Sequence, residues 1–168
     1  ASAAGIRTAV VNHRDYENRE SFDAALVSAL AGHSPDLVIL AGFMRILSPW
    51  FVQHYAGRIL NIHPALLPLY PGLNTHERVL EAGDTHHGST VHFVTEELDG
   101  GPRILQGRIR VAPSTDPDEL MQRVQAVEHR IYPTAADWFG SGRLQMRDGA
   151  TWLDGEPIAE PVVLDFDL

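Results

Sequence analysis

The chain has 168 residues, 44% of them hydrophobic, which is enough for one compact domain with a buried core. Its 22 acidic residues outnumber 13 cationic ones, every one an arginine, and the formal charge of -9 disfavours a phosphate backbone as a partner. Cysteine is absent, which excludes disulfides, thiolate nucleophiles and zinc–thiolate sites, and no apolar run reaches the ~20 residues of a membrane span. The first residues, "ASAAGIRTAVV", lack the charged start and long apolar run of a signal peptide, so a soluble, cytoplasmic protein is expected.

"IRTAVV" predicts a short strand. "RESFDAALVSALAG" predicts a helix with Phe22, Ala25, Leu26, Ala29 and Leu30 on one face and Gly32 at its C-cap. The continuous apolar run "DLVILAGF" then predicts a parallel strand covered on both faces. "SPWFVQHYAG" reads as a short helix with Ser48 as N-cap and Pro49 at the first helical position, and "RILNI" as the next buried strand. "NTHERVLEAGD" is a helix closed by Gly83, and "STVHFVTEELDGGPRILQGRIRV" holds two strands around an "ELDGG" turn. Asp116, Pro117 and Glu119 open a long helix that reaches about Phe139, with Leu120, Val124, Val127 and Ile131 as its core stripe and a kink or break near Pro133. "GRLQMRDGATWLDGEPI" reads as a hairpin turning at Asp148-Gly149. The alternation of strand and helix predicts a single α/β domain over residues 1–168: a doubly wound, mostly parallel sheet, Rossmann-like in its N-terminal half, with a C-terminal hairpin.

In such sheets ligands bind outside the carboxyl ends of the strands, and "VILAGFMRILS", "ILNIHP" and "VTEELDGGP" are the runs expected at that edge. Asn61 and His63, two apart on a strand, project to one side, so an amide donor and a neutral-pH proton donor can address one atom. That pair suits an oxyanion site, although a turn-forming Asn and a structural His before Pro64 fit the same residues. Asp99 reads first as a turn former; beside an imidazole, its carboxylate would favour and orient the imidazolium. The nine histidines offer no helical His pair at i, i+4 for zinc, and no G-x-S-x-G elbow marks a serine nucleophile.

Taken together, "LAGFMRILSP", "NIHPALLPLYPGLNTH", "HGSTVHFVTEELDGGPRILQ" and "VEHRIYP" resemble the glycinamide ribonucleotide formyltransferase family of purine biosynthesis, along almost the whole chain. The resemblance implies transfer of a formyl group from 10-formyltetrahydrofolate, as co-substrate and without a metal, to the primary amine of glycinamide ribonucleotide. It implies a catalytic trio at Asn61, His63 and Asp99. It places folate contacts at Met44, Arg45, Ile46 and Leu47, at Val52, and at the backbone of Glu96, Leu98 and Asp99, and amine-substrate contacts at Gln125 and Glu128. For Met44, Ile46 and Leu47, plain core packing is the competing reading. Partners are then small molecules, with no nucleic acid and no membrane, in a monomer or homodimer.

The family's glycine-rich phosphate loop has no counterpart here, and Ala1 matches a position after the family's second helix. The expectation is therefore a chain truncated at its N-terminus, with "RTAVV" and "LVILAG" separated in the sheet by two absent strands. Formyltetrahydrofolate deformylase shares the trio but differs after the Asn-x-His. Methionyl-tRNA formyltransferase implies a basic face that an acidic chain lacks, and a non-catalytic folate-binding fragment is the remaining alternative.

Overall fold

The computed structural model describes residues 1–112 and 115–168. Helix α1 (Arg19–Ala31) starts where Asn18 caps the Ser21 amide and Ser21 returns the bond, and it ends at Gly32. Strand β1 (Val38–Leu40) leads to α2 (Pro49–His54), whose N-cap Ser48 accepts from the Phe51 amide. Strand β2 (Ile59–His63) is followed by α3 (Thr75–Ala82), closed by a left-handed Gly83, and by the antiparallel pair β3 (His86–Phe93) and β4 (Arg103–Arg110). Helix α4 (Pro117–Gly140) is capped by Asp116 and runs through Pro133 as one helix, so of the expected kink or break the break does not occur.

The hairpin region is larger than expected. Strands β5 (Leu144–Arg147), β6 (Ala150–Leu153) and β7 (Glu156–Ile158) form a three-stranded antiparallel sheet. Asp148-Gly149 and Asp154-Gly155 make two successive turns with positive φ at both residues, as two-residue hairpins require. A short strand β8 (Val162–Asp165), which hydropathy does not announce, pairs in parallel with β4.

The main sheet has the order β1-β2-β3-β4-β8, and the pairings make β3 the one strand that runs against the other four. On one face α4 lays Leu120, Val124, Val127 and Ile131 over Leu60, Val91, Phe93 and Leu105, all almost completely buried. On the other face Phe51 and Val52 of α2 and its C-cap Tyr55 pack with Ile59 and Leu47, and α1 adds Leu26 and Leu30. The α/β, mostly parallel architecture is as the alternation predicts.

Two N-terminal expectations are corrected. "IRTAVV" forms no strand: among the described residues, 7–11 make no backbone–backbone hydrogen bond, and a strand without a ladder partner is not stable. The "DLVILAGF" run is not enclosed. Among the described residues its strand β1 pairs with β2 alone and leaves Ile39 47% exposed at the sheet edge. An apolar cleft of about 800 Å³ opens between β1, α1 and residues 7–11. No helix among the described residues is long and apolar enough to cross a membrane.

Candidate active site

β2 alternates, with Leu60 and Ile62 toward α4 and Asn61 and His63 toward the opposite face. Register then brings His92 of β3 directly opposite Asn61 and Thr90 opposite His63. The proline-rich turn after His63 is fastened over this face. The Leu67 amide donates to Thr90 Oγ1, and the Leu67 carbonyl accepts from Gln106 Nε2 and Arg103. These bonds fix the turn at Leu67.

His63 is 5% exposed. Its Nε2 donates to the Tyr70 carbonyl at 2.8 Å, and its Nδ1 lies 3.5 Å from Asp99 Oδ2. That same Asp99 oxygen accepts from the Gly72 amide at 2.9 Å, tying the 95–101 loop to the 64–73 turn. The run "VTEELDGGP" was expected at the carboxyl edge of the sheet. Because β3 is reversed, the run leaves beside the amino end of β2, and the loop folds back to return Asp99 to His63.

His92 is a neighbour of the candidate trio that the sequence alone does not single out. It is 2% exposed, and its Nδ1 donates to the Phe93 carbonyl, so its Nε2 is left to accept from the Asn61 amide at 3.2 Å. Burial lowers the His92 pKa, opposed by the Phe93 carbonyl and by Asp99, whose Oδ1 lies 4.0 Å from Nε2. A neutral His92 thereby fixes which end of the Asn61 amide donates. The crowded "STVHF" run carried this information only through strand register.

Glu128 projects from α4 at the end of β2. Ser89 Oγ donates to Glu128 Oε1 at 3.0 Å and lies 2.7 Å from the His63 carbonyl, so one hydroxyl separates Glu128 from the His63 backbone. Burial raises the Glu128 pKa, opposed by the Ser89 hydroxyl. Gln125, one turn earlier on the helix, is exposed.

The loop before α2 divides in two. Met44 and Ile46 are 76% and 55% exposed, so core packing does not account for them, whereas Leu47 and Val52 are buried in the α2 cluster. Arg45 lies over the Phe22 ring. In the facing loop Leu98 is exposed, and Glu96 accepts from Gln53 Nε2 at 2.9 Å, linking that loop to α2. Among the described residues no three His, Asp or Glu side chains are grouped to hold a metal ion.

A mostly parallel α/β sheet that gathers an amide, an imidazole and a carboxylate at the end of a central strand can hold an oxyanion and move a proton at one point, as a group-transfer enzyme requires. Residues 1–136 match the formyl transferase family model. The phosphoribosylglycinamide formyltransferase of Escherichia coli K12 is 54% identical over 93% of this chain and 74% of its own length. That of Coxiella burnetii superposes with a TM-score of 0.92 at 46% identity, over 96% of this chain and 77% of its own. A formyltetrahydrofolate deformylase from Pseudomonas syringae is more distant, at 29% identity and a TM-score of 0.77, over 82% of this chain and 46% of its own. This chain belongs to the phosphoribosylglycinamide formyltransferase family.

Proposed function

We propose that the chain transfers a formyl group from 10-formyltetrahydrofolate to the primary amine of glycinamide ribonucleotide, with Asn61, His63 and Asp99 as its catalytic residues. The observation that carries the assignment of roles is the convergence of His63 Nδ1 and Asp99 Oδ2, at 3.5 Å, beside an Asn61 amide oriented by His92. The amine attacks the formyl carbon and a new C–N bond forms. The Asn61 amide and the His63 imidazolium stabilise the resulting oxyanion. For His63 to donate, its Nε2–H exchanges the Tyr70 carbonyl for the substrate oxygen, a small displacement of the 64–73 turn. Asp99 orients the imidazolium and relays the proton lost by the attacking nitrogen to the folate nitrogen, whose C–N bond then breaks.

Donor and acceptor approach from different sides in this reading. Met44, Arg45, Ile46 and Leu47, with Val52 as a wall and the backbone of Glu96, Leu98 and Asp99 opposite, receive the folate. The partly buried Glu128, with Gln125 on the same helix face, receives the ribonucleotide. The test is an assay with both substrates that measures formylated amine and free formate separately. Formylated amine as the main product supports the reading. Formate release independent of the amine would make the chain a deformylase instead.

A further inference from the structure

Phe22 and Asp23 are the two buried residues of α1, and both grip the loop that precedes α2. Asp23 is 1% exposed, and its Oδ2 accepts from the Ser48 amide at 2.6 Å. Its Oδ1 is buried and meets no hydrogen-bond donor among the described residues. One position earlier, the Phe22 ring lies under the Arg45 guanidinium at 5.3 Å. Between β1 and Ser48, residues 42–47 make no hydrogen bond of their own among the described residues. The Asp23–Ser48 bond is therefore the polar contact that sets where this loop ends and how its last peptide is turned.

A carboxyl group is a costly choice for that task if only stability is served. A hydroxyl or amide accepts the same N–H without burying a charge, and here one carboxyl oxygen stays unmatched. What the carboxylate adds is electrostatic. By accepting from the Ser48 N–H it polarises the Leu47 carbonyl of the same peptide group, making that carbonyl a stronger acceptor.

We infer that Asp23 is a positioning residue for the formyl donor: through the Ser48 amide it orients the Leu47–Ser48 peptide so that the loop presents its free backbone groups to the pteridine ring. Asp23 touches neither substrate and acts through the loop alone. The inference rests on the proposed assignment of residues 44–47 to folate binding.

The test uses the full chain with Asp23→Ala and Asp23→Asn, and reads the KM of each substrate, kcat, the melting temperature, and the Kd of tetrahydrofolate by fluorescence titration. Asp23→Ala should raise the donor KM and the tetrahydrofolate Kd about tenfold, the size of one charge-assisted hydrogen bond, with the amine KM within about twofold. Asp23→Asn, which keeps an acceptor at the Ser48 amide but removes the charge, should recover only part of the loss. An unchanged tetrahydrofolate Kd in both variants, or equal losses in both KM values that follow the melting temperature, would overturn the inference by making Asp23 purely structural. If the wild type binds tetrahydrofolate but transfers no formyl group, the proposed function fails while the binding comparison still decides the role of Asp23. A wild type that binds no folate overturns both.

Discussion

At the scale of single residues, the chemistry depends on how few groups are free to move a proton. His63→Ala and Asp99→Asn should each lower kcat by roughly 10²–10⁴-fold with an unchanged circular dichroism spectrum, because each removes a proton-handling group without opening the core. Near-normal turnover in both would remove the proposed mechanism. His92→Phe should also lower kcat, by about tenfold or more, since the Asn61 amide loses the acceptor that sets its orientation. A second test comes from His87, buried on β3 with its Nε2 3.0 Å from His76 Nδ1. Burial, reinforced by His76, pushes the His87 pKa from its ordinary 6.5 down to about 4. The unfolded chain therefore binds a proton that the folded chain refuses between those values. Stability is complete above about pH 6.5 and falls as the pH drops toward 4, by up to about 3 kcal/mol. Urea titrations across that range should show the loss, and His87→Gln should flatten it. Asn61 and His63 stand out in the sequence as an i, i+2 pair at the end of a strand, whereas Asp99 reads there as a turn former and joins them only through the family resemblance. His92 and Asp23 do not stand out, because each acts through a partner that only strand register or helix docking supplies.

At the scale of elements, local signals located the helices well. Asn18, Ser48 and Asp116 cap their own amides, and Gly83 adopts the left-handed conformation that ends α3. Strands were less legible, because a strand exists only with a partner. "IRTAVV" has the composition of a strand but no ladder, while the short "VVLD" becomes β8 because β4 presents an open edge. The closeness of α4 to the sheet yields a further prediction. A methyl group at Gly107 would lie 2.1 Å from Val127 Cγ1, so the helix rests on bare backbone there. Gly107→Ala should cost about 1–3 kcal/mol of unfolding free energy in urea, read as a lower midpoint with an unchanged slope. An unaffected midpoint would mean that α4 shifts outward at no cost.

At the scale of the whole molecule, the two sheet margins differ. β8 is held by a bidentate pair of Arg108 and Asp165, at 2.7 and 3.1 Å, whereas β1 is a short, apolar edge beside an open cleft. Unpaired edges invite association, and a charge on the edge suppresses it. At the centre of the molecule, Tyr132 of α4 places its hydroxyl 2.7 Å from the Leu40 carbonyl and 2.9 Å from that of Leu60. Burial raises the pKa of this phenol and keeps its proton in place. Leu40 is the last residue of β1 before the proposed folate loop, Leu60 precedes Asn61, and Glu128 lies one helical turn before Tyr132. The hydroxyl is thus a common datum for three parts of the site that arrive from separate stretches of chain. A shared anchor of this kind holds the proposed donor loop, the proposed oxyanion strand and the proposed acceptor carboxyl in one frame, the alignment that a two-substrate transfer requires.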